Sequence, residues 1–406
     1  MRIVQIANFY APTSGGLKIV VMETGRGFRQ AGHERILIVP GRKDSVEHTA
    51  TGRRVVVRSL RLPGLGNYRI LINRWRIRRL LTEESPDIVE VSDKFSLVWL
   101  SRWCRRNGVP IVLFSHERID AILRPRMPRW FPLSRAADLA NRRLNRQADK
   151  IVVTSAFSAT EFERIGATNL RPIRLGVDLD TFRPSTGSPS AGGDARVAGY
   201  SQRSTVPAPW MSAEPDAVRL ITISRLSCEK RPERSIETLR VLRSWGVPAH
   251  LVMVGDGPQL ERLRRRSEGL PVTFLRHVSD RRVLAELIAG ADLALSPSPA
   301  ETFGLATLEA LACGTPVVVP ADGAARELLD GPGCGAVSDG TPQDTARAVR
   351  EVLAVPERER RKAARAAAER YPWRATVDGL LRAYEELSGV PRVEAPRLDV
   401  EREPAG

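Results

Sequence analysis

A chain of 406 residues, 42% of them hydrophobic, is long enough to bury two α/β cores of ordinary size. It carries 63 Lys+Arg against 47 Asp+Glu, a formal net charge of +16, and no apolar run reaches the roughly 18 residues that a membrane-spanning helix needs. The four cysteines (Cys104, Cys228, Cys313, Cys334) form no CxxC pair, which argues against zinc and for reduced thiols in a cytosolic protein.

The opening MRIVQIANFY has no charged stretch followed by a long apolar one, so no secretory signal is expected, and Arg2–Ala7 reads as a first buried strand. Apolar runs follow at Arg35–Val39, Val55–Val57, Asp87–Val91, Pro110–Phe114 and Lys150–Val153. Between them lie longer stretches of helical period, such as Leu17–Ala31, Ile70–Leu81 and Phe95–Arg106. This alternation predicts a mostly parallel, doubly wound domain over residues 1–183. Residues 184–217 are rich in Pro, Gly, Ser and Ala without apolar period and read as a linker or loop.

Alternation then resumes over residues 218–370. Strands are predicted at Val218–Ser224, Ala249–Val254, Val272–Leu275, Asp292–Ser296 and Thr315–Val319. Helices are predicted near Pro232–Trp245, Pro258–Ser267, Arg281–Ala289, Leu305–Cys313 and Pro356–Arg370. A last helix, within 371–388, is expected to pack back on the N-terminal domain. The Pro-rich, charged residues 389–406 are expected to be disordered. Two such domains leave a cleft, where α/β proteins commonly bind ligands.

The charge is one-sided. Residues 1–183 hold 33 basic and 17 acidic side chains, whereas residues 184–406 hold 30 of each. Such an excess suits an anionic partner: nucleic acid, an anionic membrane or an acidic substrate. A coding bias toward solvated Arg is the plainer explanation, but it has no reason to spare the second half. Helix-turn-helix, zinc-finger and RNP patterns are all absent, so nucleic acid is not expected as a partner.

The strongest segment for chemistry is SPAETFGLATLEALACGTPVVVP, residues 298–320. A strand ends near Ser296, Glu301 follows in a loop, and Thr302-Phe303-Gly304-Leu305 opens a helix that contains Glu309. Helix N-termini present free N–H groups and partial positive charge, and so bind phosphate. On this reading Glu301 reaches sugar hydroxyls, the amides of Phe303, Gly304 and Leu305 face a diphosphate, and Glu309, further along the helix, accepts both hydroxyls of a ribose. A second segment, ITISRLSCEKRP, delivers Arg225 and Lys230 from a strand end. Two fixed cations there can stabilise a departing nucleoside diphosphate without a metal.

ETFGLATLE resembles the Glu-x7-Glu motif of glycosyltransferase family 4, the retaining enzymes of GT-B fold, in which two Rossmann-like domains face each other across a cleft. SRLSCEKRP resembles that family's Arg/Lys diphosphate motif, with Ser224 where Gly is usual, and APTSGGL (residues 11–17) resembles its Gly-Gly donor loop. The likeness runs from about residue 1 to 385. It implies that Gly15 and Gly16 approach the donor phosphate and that Arg225 and Lys230 hold the diphosphate. It further implies that the base lies near His277, Val278 and Asp280, and that His116 sits beside the transferred sugar. No metal or other cofactor is implied.

A finer resemblance is to the actinobacterial branch that mannosylates phosphatidylinositol mannosides. It rests on NFYAPTSGGL, VPGRKDS, EVSD at 90–93, SHERID at 115–120, ERIGATN at 163–169 and LGVDLDTF at 175–182. It implies transfer of mannose from GDP-mannose to a hydroxyl of a lipid-linked acceptor, on the cytoplasmic side of a membrane. The alternatives are a family member using another nucleotide sugar on a soluble acceptor, or a phosphorylase or epimerase of the same fold.

Two stretches point to the bilayer. Residues 69–80 mix Arg with Ile, Leu and Trp75 on an expected helix, and Arg118–Arg146 holds eight Arg against two Asp, with Arg126, Arg129 and Trp130 among them. Other enzyme classes fit worse. VGDGP (254–258) is not a GxGxxG dinucleotide fingerprint, no P-loop occurs, and Asp178-Leu-Asp180 reads as structural rather than as a metal-binding DxD.

Overall fold

The computed structural model describes residues 1–10, 15–61, 69–94, 96–118, 120, 121, 124, 127, 128, 130, 132–185, 210, 214 and 216–390. Arg126, Arg129, most of the 184–217 stretch and the tail from 391 onward lie outside the described residues.

The N-terminal part supplies β1 (Arg2–Ile6), β2 (Glu34–Gly41), β3 (Ser45–Thr49), β4 (Gly52–Arg58), a small antiparallel pair β5 (Leu60–Arg61) and β6 (Arg69–Ile70), then β7 (Ile88–Val91), β8 (Ile111–Ser115), β9 (Lys150–Val153) and β10 (Leu170–Pro172). All but β5 and β6 join one 8-stranded sheet, in the order β10-β9-β8-β7-β1-β2-β4-β3. It is parallel except for the β3–β4 hairpin. Its helices are α1 (Gly16–Gln30), α2 (Arg74–Glu84), α3 (Leu97–Asn107), α4 (Leu133–Asn145) and α5 (Ala156–Glu163). The C-terminal part alternates β11 (Val218–Ile223), α6 (Glu233–Ser244), β12 (Ala249–Val254), α7 (Leu260–Arg266), β13 (Val272–Leu275), α8 (Arg281–Ala289), β14 (Leu293–Leu295), α9 (Leu305–Ala312), β15 (Val317–Pro320) and β16 (Gly335–Ser338). These strands form a 6-stranded parallel sheet in the order β13-β12-β11-β14-β15-β16. Helices α10 (Pro342–Ala354), α11 (Glu357–Glu369) and α12 (Trp373–Ser388) complete the chain.

Helices cover both faces of a parallel sheet, so its central strands are buried throughout and mostly apolar. All four residues of β7, all six of β12 and all four of β15 are buried. Helix α2 begins later than its apolar period predicts. Ile70 pairs in β6, and Asn73 caps the helix by accepting from the Arg76 N–H at 3.0 Å. Leu71, Ile77, Leu80 and Leu81 point into the core, while Ile72 and Trp75 are exposed.

The chain leaves the first sheet near Val177 and returns at Tyr371–Pro372. The two crossings pair with each other: the Val177 N–H donates to the Tyr371 carbonyl at 2.9 Å. Helix α12 then lies against α1. Gly27 is what lets them approach, because a Cβ there would overlap the Val377 side chain. Tyr384 of α12 packs tilted against Phe28 with ring centroids 5.8 Å apart and donates its hydroxyl to Glu90 of β7.

Glu90 is buried at the centre of the first sheet and also accepts from Gln5 Nε2 at 2.9 Å. Gln5 in turn accepts from Arg35 Nε at 2.7 Å. Burial pushes the Glu90 carboxyl up, against the bonds from Tyr384 and Gln5 and the charge of Arg35. Burial likewise draws the Arg35 guanidinium down to about 10. A buried acceptor stripped of one donor costs about 1–3 kcal/mol. Tyr384→Phe should therefore lower the unfolding free energy by an amount in that range, read as a lower urea midpoint at unchanged slope. An unchanged midpoint would mean that the bond from α12 to the first sheet adds nothing to stability.

Candidate active site

The donor-side cations are placed by two loops packed edge to edge. After β11 the Leu226 N–H donates to the Asp256 carbonyl at 2.9 Å, and Gln259 N–H returns a bond to the Leu226 carbonyl at 3.0 Å. Gly257 permits this approach, since a Cβ would overlap the Leu226 backbone. Arg225 then projects into solvent with Nη2 2.7 Å from Glu229 Oε1, and Ser227 Oγ donates to the same oxygen at 2.6 Å. Burial raises the Glu229 carboxyl, but bonds from Ser227, its own backbone and Arg225 outweigh it and bring it to about 2. Glu229 is therefore a permanent anion that holds Arg225 in place. Lys230 sits in the short helical turn Cys228–Lys230, with its Nζ 2.6 Å from Glu301 Oε1.

Glu301 occupies the loop between β14 and α9. Gly304 caps that helix at φ +96°, a conformation other residues rarely adopt, and no side chain covers the first-turn N–H groups. The Phe303 ring is buried edge-on to Tyr371 at 6.3 Å, which leaves its backbone to face the cleft. The start of α1 meets this point from the other sheet. Gly15, its N-cap, likewise has no side-chain cap, and a Cβ on Gly16 would lie 3.3 Å from Leu305 Cδ1. Two glycine-led helix starts thus converge, and their partial positive charges add.

Glu309 lies further along α9 and is buried. Burial lifts its carboxyl to about 6, even though Arg281 Nη2 lies 3.2 Å from Oε1 and pulls it down. In the loop after β13 His277 is exposed and Val278 is partly buried against the core. Asp280 caps α8 by accepting from the Arg282 N–H at 2.8 Å.

His116 follows β8 directly. Its ring stacks on Phe114 at 4.3 Å with planes 4° apart, and Nε2 is buried without a hydrogen-bond partner among the described residues. Burial drops its pKa to about 3, so the imidazole is neutral at any physiological pH. Across the cleft, Thr302 Oγ1 donates to the His116 carbonyl at 2.6 Å. The Thr302 carbonyl accepts from Ser155 Oγ at 2.6 Å and Thr154 Oγ1 at 3.0 Å. Beside this seam Glu327 caps α5, accepting from the Phe157 and Ala156 N–H groups at 2.9 and 3.0 Å.

The geometry therefore gathers Gly15, Gly16, His116, Arg225, Lys230, Glu301, Phe303, Gly304, Leu305 and Glu309 around one cleft. Trp130 is 81% exposed on the segment before α4. Asp178 is spent on a turn, accepting from the Thr181 N–H at 3.0 Å and the Asp180 N–H at 3.2 Å. Cys104, Cys313 and Cys334 are buried thiols, whereas Cys228 is half-buried beside Glu229. Sequence reasoning missed Glu229, Arg281, Thr302 as a bridge, and Glu327. Glu229 stands inside a segment already singled out. The others act through contacts between distant elements, which no local pattern marks.

Two cations, two helix starts and a neutral histidine facing one another between two parallel sheets define a nucleotide-sugar transferase of the GT-B fold. Residues 212–370 match the family described as Glycosyl transferases group 1, and residues 14–181 match Glycosyltransferase Family 4. A GDP-mannose-dependent alpha-(1-6)-phosphatidylinositol dimannoside mannosyltransferase of Mycobacterium tuberculosis is 42% identical over 94% of this chain and 95% of its own length. A D-inositol 3-phosphate glycosyltransferase of Geodermatophilus obscurus is 32% identical over 73% of this chain and 66% of its own. HepE of Anabaena, solved with UDP and glucose, shares the fold at a TM-score of 0.70 and 20% identity, covering 96% of this chain and all of that one (100%). The chain belongs to glycosyltransferase family 4 and is a glycosyltransferase.

A histidine whose pKa is drawn down to about 3 cannot impose an acid limb on activity above pH 5. Imidazole NMR of the protein should show no protonation of His116 between pH 8 and pH 5, and a titration with midpoint above 5 would contradict the buried, stacked ring.

Proposed function

We propose that this chain transfers mannose from GDP-mannose to a hydroxyl of a phosphatidylinositol mannoside, with retention at the anomeric carbon and without a metal. The observation that carries this reading is the cluster of Arg225, Lys230, Glu301 and the Gly304 helix start facing His116 and Gly16 across the cleft. The Mycobacterium tuberculosis relative, which matches nearly the whole of both chains, supplies the identity of donor and acceptor.

The bond from the anomeric carbon to the β-phosphate oxygen breaks, and negative charge grows on that phosphate. Lys230, Arg225 and the amides at Gly304–Leu305 are already in place to meet it, so little reorganisation accompanies the charge. The acceptor hydroxyl attacks from the same face and gives its proton to the departing phosphate. His116, held neutral, orients a sugar hydroxyl through Nε2 instead of moving a proton. Glu301 accepts sugar hydroxyls while aiming Lys230, Glu309 accepts the ribose hydroxyls, and the base lies along His277, Val278 and Asp280.

The acceptor is a lipid, and the face that reaches it carries the basic excess. No helix among the described residues is long and apolar enough to cross a membrane. Ile72 and Trp75 are exposed on and just before α2, next to the exposed Arg74, Arg78 and Arg79, and Trp130 is exposed as well. Each basic residue near an anionic surface adds about 1 kcal/mol before screening, and tryptophan favours the interface. The enzyme accordingly works on the cytoplasmic face of the membrane, docked through this side.

Purified protein with GDP-mannose and a phosphatidylinositol mannoside should form an α-linked product at a rate unaffected by EDTA. A β-linked product, or a strict need for Mg²⁺ or Mn²⁺, would refute the mechanism. Activity only with a soluble acceptor would point to the reading that the inositol-phosphate relative offers. Glu301→Ala and Lys230→Ala should cut kcat about 100-fold or more with a smaller effect on nucleotide binding. Co-sedimentation with anionic liposomes should fall with salt and with joint replacement of Trp75, Arg78 and Arg79. If wild-type protein ignores such liposomes at low salt, the docking face is wrong.

A further inference from the structure

Arg281 opens α8 yet does nothing for its own helix, whose N-terminus is capped by Asp280. Its guanidinium lies over the Phe182 ring at 4.7 Å, and Phe182 is fully buried in the segment that leaves the first sheet. One nitrogen, Nη2, reaches Glu309 Oε1 at 3.2 Å. Another, Nε, is buried with no hydrogen-bond partner among the described residues. Buried donors are almost always paired, and one left over marks a place where a ligand or another acceptor belongs. The planar cation is thus fixed by an aromatic face, spent in part on a single carboxylate oxygen, and still holds a donor in reserve beside that carboxylate.

We propose that Arg281 is a donor-positioning residue, which orients the Glu309 carboxylate and keeps it ionised so that it can accept the ribose hydroxyls of the nucleotide. This rests on Glu309 receiving the ribose, as proposed above. The buried Nε–H then meets an acceptor that arrives with the nucleotide.

The charges around Glu309 come from several elements. Arg281 of α8 lowers its carboxyl, and Asp178 of the crossing segment raises it. Glu23 of α1 faces Arg281 and Asp178. Cys313 of α9 lies near Glu309 and is held protonated by burial, although Arg365 and Arg361 of α11 oppose that. Among the described residues Arg281 is thus the group that opposes the burial, which still leaves the Glu309 carboxyl raised to about 6. Ribose hydroxyls donate to the ionised form, so nucleotide affinity is full above that value and falls as pH drops through it. Without Arg281 the carboxyl rises further, and the fall begins at a higher pH.

GDP-mannose is a suitable probe, because its diphosphate is esterified at both ends and does not titrate between pH 5 and 8. Its Kd is to be measured by calorimetry over that range for wild type, Arg281→Gln, Arg281→Lys and Glu309→Gln, with thermal melting as the check on folding. Removing an opposite charge at this distance moves a carboxyl by about 1 pH unit or more. Arg281→Gln should therefore shift the midpoint of the affinity loss up by about that much and weaken binding about fivefold at pH 6. Arg281→Lys, which keeps the charge, should stay within about half a unit of wild type. Glu309→Gln should be weakened and flat with pH. An Arg281→Gln variant with the wild-type midpoint, or an Arg281→Lys variant displaced as far as the Gln one, overturns the proposal while a weakened Glu309→Gln leaves the ribose reading standing. Undiminished binding by Glu309→Gln overturns the ribose reading itself.

Discussion

The molecule depends on a chain that crosses between its two sheets twice and pairs the crossings. The bond from Val177 N–H to the Tyr371 carbonyl joins the outgoing segment to the returning one. Gly176 allows it, because any side chain there would run into the backbone of Pro372 and Trp373. Arg365 of α11 binds the same corner by donating to the Phe182 carbonyl at 2.8 Å and the Ala312 carbonyl at 2.9 Å. Backbone so tightly packed resists sliding of one sheet past the other. The candidate site is built against this corner: Phe303 packs on Tyr371 and Arg281 lies over Phe182, while Gly16 approaches Leu305 and Thr302 bonds the His116 carbonyl.

Much of the fold was legible because parallel sheets bury both faces. Runs such as AHLVMV and TPVVVP stand out against any helical period, and their ends were placed within a residue or two. The short strands escaped. β3 is exposed along much of its length, and β10 and β16 are three and four residues long with only partial burial. The α4 and α5 helices escaped too: α4 lies in a stretch read chiefly for its charge, and α5 is only eight residues long. At the site, Arg225, Lys230, Glu301 and Glu309 were legible because each stands at a fixed offset from a strand end or a helix start. Arg281, Glu327 and Thr302 were not, because their partners lie 28 to 186 residues away in sequence.

Burial sets the protonation of two groups of the candidate site. His116 and Glu309 are both enclosed, and enclosure favours the neutral form of each. For the histidine no charged group opposes it, so the ring stays uncharged. For the glutamate Arg281 opposes it, so the carboxylate remains available near neutral pH. The same physical cost leads to opposite states because only one of the two has a charged partner.

The seam at Thr302 bears on what can be exchanged between relatives of this enzyme. Thr302 sits between Glu301 and Phe303-Gly304, yet its carbonyl and hydroxyl are held by Ser155, Thr154 and His116 of the other sheet. The loop from Glu301 to Gly304 is therefore not the property of the C-terminal half alone. A chimera that grafts a foreign C-terminal half onto this N-terminal half inherits the foreign cations but aligns the loop before α9 with these hydroxyls. To keep that loop in place the graft must find hydroxyl donors at positions 154 and 155, whereas the carbonyl of residue 116 is supplied whatever its side chain.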